Sequence, residues 1–206
     1  MQALQLPMVI SLTLDEGSLT SGSAFPVGTT TVNYTATDAS GNKTSVSFTV
    51  TVIDNEAPVA DMEALETVTG QCSATVSAVP TATDNCGGTI EGTTQDALTY
   101  NEQGTYIVTW TFDDGNGNIT TQEQTVIVND TTAPVADMEA LETVTGQCSA
   151  TVSAVPTATD NCGGTIQGIT EDDLTFNEQG TYTVIRKFDD GNGNITTQEQ
   201  TVIVND

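Results

Sequence analysis

The residues best suited to chemistry form an acidic turn, Asp-Asp-Gly-Asn-Gly-Asn at positions 113–118, which recurs at 189–194. Ca²⁺ prefers oxygen ligands, and four of the six side chains carry oxygen. The turn lacks the glutamate at the twelfth position of an EF-hand loop, so a calcium site here must recruit carboxylates from elsewhere, with Asp54 as one boundary candidate. The candidate ligands are Asp84, Asp113, Asp114, Asn116, Asn118 and Asp130, with their equivalents Asp160, Asp189, Asp190, Asn192 and Asn194.

The same turn has a purely structural interpretation. Asp and Asn build tight turns because their side chains accept hydrogen bonds from nearby backbone N–H groups. A net charge of −25 favours bound cations, which would relieve the repulsion between carboxylates. Both interpretations remain open at the level of sequence.

The four cysteines form two equally spaced pairs, Cys72/Cys86 and Cys148/Cys162. With no histidine in the chain and only two cysteines in each pair, zinc ligation is disfavoured. We predict a disulfide within each pair, which by loop-closure entropy would stabilise each unit by about 3 kcal/mol. Free buried thiols are the alternative. Disulfides indicate an oxidising compartment.

These features belong to a tandem repeat of 76 residues. Residues 57–130 align without a gap on 133–206, and 65 of the 74 positions are identical. The same shift carries Gly28, Asp38 and Asn42 onto residues of the second copy, so residues 1–54 are a divergent, incomplete copy that lacks the cysteines. The predicted domains are 1–54, 55–130 and 131–206, and each copy has its neighbours as partners.

Charge and composition exclude several functions. The chain has 28 acidic residues against three basic ones, so it cannot offer the clustered Lys and Arg that nucleic acid requires. No apolar run is long enough to insert into a membrane. The absence of histidine and of any activated nucleophile predicts that the chain is not an enzyme, and tandem acidic residues are a poor match to an active site.

The segments on either side of the turn are predicted to be β-strands. Residues 105–112 alternate apolar side chains with mostly threonine, and residues 119–128 return after the turn, which predicts a hairpin. Shorter strands are expected at 65–68, 74–79, 89–94 and 98–100, and in the first copy at 31–37 and 46–53. The fold class is therefore all-β, with tandem immunoglobulin-like antiparallel β-sandwiches arranged end to end.

Position 110 is predicted to lie at the rim of its sheet. Trp110 aligns with Arg186 of the third copy, and a buried unpaired arginine would be costly. An exposed Trp110 would be a platform on which a sugar ring could stack.

Several segments resemble the hyalin repeat (HYR) family. In the first copy these are residues 23–42 and the later segment Phe48-Thr-Val-Thr-Val-Ile-Asp54. In the second copy they are Pro80-Thr-Ala-Thr-Asp-Asn-Cys-Gly87 and residues 112–118. The later copies are similar to the HYR-like repeats of large Bacteroidetes surface proteins, including gliding and adhesion proteins. The resemblance implies an immunoglobulin-like fold, an extracellular location at a bacterial cell surface and a role in adhesion or as an extracellular spacer.

Two functions follow. The first is a structural spacer, because near-identical copies make equivalent junctions. The alternative is a binding module in which the repeats contact a surface carbohydrate or protein ligand, with or without calcium.

Overall fold

The structure, a computed structural model, describes residues 10–206, so the first nine residues of the predicted 1–54 repeat lie outside the described residues. Every regular element in this part of the chain is a β-strand. The chain forms two compact units. Unit 1 contains Met1–Met62, Pro80–Gly92 and Thr111–Thr121, and unit 2 contains Glu63–Val79, Thr93–Trp110 and Gln122–Asp206. The unit boundaries thus run through the second repeat and not between repeats.

The first repeat supplies a three-stranded sheet to unit 1. Its strands are β1 (Ser11–Leu14), β2 (Gly28–Thr37) and β3 (Lys43–Val52), in the order β1-β2-β3. The predicted hairpin is confirmed, and it is longer than its alternating pattern indicated. Cross-strand pairing continues to Gly28 opposite Val52 and to Thr37 opposite Lys43.

The second repeat contains eight strands. One sheet has the order β4-β7-β8, a second has the order β10-β11-β5, and β6 pairs with β9. The strands are β4 (Val59–Ala60), β5 (Val68–Gly70), β6 (Ala74–Thr75), β7 (Thr81–Asp84), β8 (Gly88–Glu91), β9 (Thr99–Tyr100), β10 (Gly104–Asp113) and β11 (Ile119–Val128).

The third repeat, which lies wholly in unit 2, repeats this plan. Its sheets are β12-β15-β16 and β13-β19-β18, and β14 pairs with β17. The strands are β12 (Val135–Ala136), β13 (Val144–Gln147), β14 (Ala150–Thr151), β15 (Thr157–Asp160), β16 (Gly164–Gln167), β17 (Thr175–Phe176), β18 (Gly180–Asp189) and β19 (Ile195–Asn205).

The core of the third repeat is small and rich in valine. Val184 of β18 and Val202 and Val204 of β19 pack with Ala150 and Val152. The two sheets approach each other closely at Gly168, where an added Cβ would lie 2.8 Å from the ring of Phe188. A glycine at this position therefore lets the aromatic ring fill the space between the sheets.

One pairing in the second repeat and one in the third differ from the expected antiparallel pattern. β13 pairs with β19 in parallel, with Val144 opposite Val202, and β5 pairs with β11 in the same way. These strands are the early and the last strands of a repeat, and the long chain segment between them makes a parallel arrangement possible.

The rim position predicted for residue 110 is wrong. Trp110 is 2% exposed and its indole N–H donates to Gln124 Oε1 at 3.1 Å, within the core face formed by alternate residues of β10. A buried ring cannot stack on a sugar, so the predicted ligand-stacking role of Trp110 is also wrong.

Arg186 is equally buried, at 3% exposure, which is the arrangement that the sequence argument treated as too costly. Its Nη2 donates to the carbonyl oxygen of Ala154 at 3.1 Å, whereas its Nε has no partner. Gln200, which corresponds to Gln124, consequently keeps an unpaired Oε1. The third repeat therefore buries a charge that is only partly compensated.

We expect the substitution Arg186→Trp to stabilise the chain by about 2 kcal/mol, because it removes a buried charge that is only partly compensated and gives Gln200 Oε1 an indole donor. The midpoint of thermal unfolding, followed by circular dichroism, should rise by about 5 °C. The control is Lys187→Thr, which restores the second-repeat residue at the neighbouring position and should change stability by less than about 0.5 kcal/mol. An unchanged or lower midpoint for Arg186→Trp would contradict the interpretation.

Candidate cation sites and the repeat junction

The first acidic cluster combines residues from three separate segments of unit 1. Asp54 follows β3, Asp84 ends β7, and Asp114 lies in the turn after β10. One carboxylate oxygen from each lies within 4.8 Å of the others. Two oxygens that bind one Ca²⁺ at about 2.4 Å can be at most about 4.8 Å apart, so the spacing suits a shared calcium ion.

Backbone hydrogen bonds fix two of these carboxylates. Asp84 Oδ1 accepts from the amides of Cys86 at 2.9 Å and Gly87 at 2.5 Å. Asp114 Oδ1 accepts from the amides of Asn116 at 2.7 Å and Asn118 at 3.1 Å. The turn hydrogen bonds predicted as the structural interpretation are therefore present, and they orient Asp114 within the cluster.

The turn is also attached to the boundary segment. The side-chain amide of Asn118 donates to the carbonyl oxygen of Asp54 at 3.3 Å, and that of Asn116 donates to Asp54 Oδ2 at 3.1 Å. Thr120 adds a hydrogen bond to the carbonyl oxygen of Pro58 at 2.6 Å. These contacts explain how a turn and a boundary residue far apart in sequence come to share one site.

An unpaired oxygen points to a ligand. Asp84 is 5% exposed, and its Oδ2 has no hydrogen-bond partner. A buried carboxylate oxygen without a donor is costly, and buried charges are normally paired or bind a metal. The residues therefore fit a hard divalent cation.

The second cluster lies at the equivalent position in unit 2. Asp130 is 3% and Asp160 is 5% exposed, and the Oδ2 of each has no partner. Cys162 completes the geometric group, but its sulfur forms a disulfide and is no thiolate ligand. Asp190, the equivalent of Asp114, is not a member of this cluster, so the two sites differ in their carboxylate sets.

The structure thus brings together some of the predicted ligands and separates others. It gathers Asp84 with Asp114, and Asp130 with Asp160. Outside the clusters, Asp113 Oδ1 accepts from the Gly115 amide. Asn116 and Asn118 contact the first cluster directly, because their side-chain amides donate to Asp54 and Asp114. The remaining predicted ligands take part in the turn of the third repeat and are Asp189, Asp190, Asn192 and Asn194.

The hydrogen bonds also favour ionised turn carboxylates. Burial acts to raise the pKa of Asp114 and of Asp190, but side-chain and backbone donors in each turn outweigh it, so each pKa lies below the usual value of an aspartate. The Lys187 ammonium, which lies 2.8 Å from Asp189 Oδ2, lowers the pKa of Asp189. These groups carry full negative charge at neutral pH.

The cysteine pairing corrects the predicted one. Cys72 of the second repeat bonds to Cys162 of the third, with a Cα–Cα distance of 5.0 Å, and Cys86 and Cys148 are free and exposed. Neither predicted pair, Cys72/Cys86 nor Cys148/Cys162, forms. The disulfide therefore joins two repeats and closes none of them internally.

Hydrogen bonds surround this bond at the junction in unit 2. Gln71 Oε1 accepts from Asn161 Nδ2 at 2.9 Å and from Thr132 Oγ1 at 2.6 Å. Gln103 Nε2 donates to the carbonyl oxygen of Gln71 at 2.9 Å, while its Oε1 accepts from the Asp130 amide at 2.7 Å. The disulfide, the polar contacts and the second acidic cluster thus occupy the same junction.

Comparison with known families identifies the repeats. Residues 7–52 match the HYR domain, and residues 58–128 match the HYR-like domain with 4 cysteines. The first segment is therefore similar to HYR domains, and the second to HYR-like domains. The third copy shares the similarity of the second, because the two are nearly identical in sequence. The second copy departs from its family description, because residues 58–128 of this chain contain only Cys72 and Cys86.

The HYR repeats have long relatives among hyalins. The chain is 37% identical over 202 residues to hyalin of Strongylocentrotus purpuratus, covering 89% of this chain and 17% of that protein. It is 32% identical over 208 residues to hyalin of Lytechinus variegatus, covering 92% of this chain and 39% of that protein. The chain therefore spans well under half the length of these relatives.

Solved structures that the chain matches at low similarity include extracellular cadherin segments. A protocadherin gammaB7 EC3-6 structure matches with a TM-score of 0.35 and 13% identity, covering 94% of this chain and 68% of that one. Mouse cadherin-23 EC22-24 matches with a TM-score of 0.34 and 15% identity, covering 86% and 75%. Within residues 10–206, no helix has the length and apolar character needed to cross a membrane.

Proposed function

We propose that this chain is a non-catalytic, load-bearing spacer of an extracellular adhesion protein, with junctions that bind divalent cations. The observation that carries this proposal is the Cys72–Cys162 bond between successive repeats. A binding module needs no covalent connection to its neighbour, whereas a spacer under tension benefits from a second connection in parallel with the peptide chain.

The cation is part of the same proposal. Calcium is the metal that we infer, because the clusters offer carboxylate oxygens at suitable spacing and because the Oδ2 atoms of Asp84, Asp130 and Asp160 lack partners. A bound ion would neutralise part of the repulsion in a chain of net charge −25. It would also fix the boundary residue to the body of the repeat that follows.

We propose that the chain is exposed at the surface of a bacterial cell, as part of an adhesin such as those of gliding organisms. This rests on the resemblance of the second and third copies to Bacteroidetes surface repeats. Neighbouring repeats are the principal partners. A surface carbohydrate or protein ligand would be held by other parts of such an adhesin, since Trp110 is buried and offers no stacking surface.

Single-molecule stretching of the whole chain tests the load-bearing role. Because the bond spans a sequence separation of 90, the enclosed segment cannot extend while the disulfide is intact. Adding a reductant should therefore release an extra length of about 300 Å, at about 3.4 Å per residue. A Cys72→Ser chain should show the full extension without reductant. Equal extensions in oxidised and reduced chains would contradict the proposal, as would specific retention of the chain on a glycan array.

A further inference from the structure

The free cysteine of the third repeat lies in a loop with a direct counterpart. Residues 133–166 are identical in sequence to residues 57–90, so Gln147 and Cys148 correspond to Gln71 and Cys72. Gln179 corresponds in the same way to Gln103. In the second repeat, Gln71 and Cys72 contact the third repeat, and Gln103 donates to the carbonyl oxygen of Gln71.

The two loops nevertheless differ in conformation. Cys148 has a φ of 61°, and it is the single non-glycine residue with positive φ among residues 10–206. Its amide donates to the carbonyl oxygen of Asn205 at 2.9 Å, and β13 extends to Gln147 whereas β5 ends at Gly70. The left-handed region is unfavourable for a residue with a Cβ. Identical sequences thus adopt two conformations, one with a partner repeat and one without it.

The junction is heterologous, because each repeat uses different surfaces toward its two neighbours. The second repeat contributes Gln71 and Cys72, and the third contributes a different set, Thr132, Asn161 and Cys162. An interface of this kind can continue from copy to copy without closing, because the third repeat carries the same Gln-Cys surface as the second.

We propose that Gln147, Cys148 and Gln179 form a receiving surface whose occupant is the Asn161–Cys162 loop of a further copy of this repeat. The incoming cysteine bonds to Cys148 as Cys162 bonds to Cys72. This goes beyond the spacer role, since it assigns the surface, its partner and its direction of growth.

The second repeat of another molecule is a poor occupant. Asn85, the equivalent of Asn161, already donates to Glu56 Oε2 at 2.6 Å, and the Glu56 amide donates to Asp54 Oδ1 at 3.3 Å. These contacts come from the boundary after the first repeat, which contributes no cysteine. The loop of the second repeat is thus engaged by its own chain.

Bond formation is a thiol–disulfide exchange with a low-molecular-weight disulfide in the buffer. The Cys148 thiolate attacks that disulfide and displaces one small thiol. The incoming cysteine then displaces the second small thiol and forms the protein disulfide. Two protein thiols are oxidised and one small disulfide is reduced to two thiols, so electrons and protons balance.

The test lengthens the chain after Asp206 by one more copy of residues 131–206 and maps disulfides by mass spectrometry without reduction. We expect Cys148 bonded to the added counterpart of Cys162, while the added counterpart of Cys148 becomes the free thiol. The number of free thiols should stay at two, as in the native chain, where they are Cys86 and Cys148. A bond between the two added cysteines, or a Cys86–Cys148 bond between molecules, overturns the proposal.

Two variants of the lengthened chain separate the surface from the thiol. Cys148→Ser should raise the number of free thiols by one, because the incoming cysteine loses its partner. Gln147→Ala keeps every thiol but removes the side chain that would accept two hydrogen bonds, so closure should slow by roughly tenfold. Cys148 should also react with iodoacetamide in the native chain and resist it in the lengthened one. Unchanged reactivity or an unaltered closure rate would count against the receiving surface, whatever the outcome of the stretching and metal experiments.

Discussion

Replacement of Cys72 by serine is expected to lower the free energy of unfolding of the chain by about 4 kcal/mol. The bond to Cys162 closes a loop with a sequence separation of 90, and cross-linking so long a segment removes a large amount of conformational entropy from the unfolded chain. Urea unfolding monitored by circular dichroism, with and without reductant, measures the loss. The reductant should have no further effect on the variant.

Matched controls come from the two free cysteines. Cys86→Ser and Cys148→Ser should leave the free energy of unfolding within about 0.5 kcal/mol of the native value, because neither thiol is cross-linked. If Cys86→Ser were as destabilising as Cys72→Ser, the cysteines would pair within repeats and the junction described here would be wrong.

Addition of Ca²⁺ at about one hundred times its dissociation constant should stabilise the chain by about 2.7 kcal/mol for each occupied site, because only the folded state presents the clusters. The midpoint of thermal unfolding in millimolar Ca²⁺ should exceed that in chelator by several degrees. Mg²⁺ should give a smaller increase, since it demands a tighter octahedral arrangement. A midpoint that does not respond to chelator would remove the cation from the proposed function.

The effect of the variant Asp84→Asn on stability should differ in sign between chelator and Ca²⁺. In chelator it should be neutral or stabilising, because it removes one of the crowded negative charges of the first cluster. In Ca²⁺ it should be less stable than the native chain, because it loses a charged ligand. Asp160→Asn tests the second cluster in the same way. Asp113→Asn is the control, an exposed turn residue outside both clusters, and should leave the response to calcium unchanged.

The parts of the fold with a strong periodic pattern could be predicted from sequence. The strand at 119–128 was predicted with its observed bounds, because alternating side chains mark a half-buried strand. The two-residue strand Val59–Ala60 carries no such pattern and was missed. The contribution of distant carboxylates to the turn was also predictable, since four oxygen-bearing side chains cannot complete a calcium site.

Cysteine pairing could not be deduced, because each cysteine in a tandem array has an equivalent partner in its own repeat and in the next one. Only the three-dimensional junction distinguishes the two. The burial of Arg186 was hidden for another reason. The carbonyl oxygen of Ala154, which compensates part of the Arg186 charge, is remote in sequence and carries no side-chain signal.

The bond between repeats also changes what a single cut can do. The peptide connection around residues 130–134 and the sulfur bridge cross the same junction independently, so a protease that cleaves the connection leaves the two fragments attached. Separation of the third repeat requires both a hydrolytic and a reductive event. In an environment rich in proteases but poor in reductants, the disulfide therefore keeps the two fragments of a cleaved chain covalently linked.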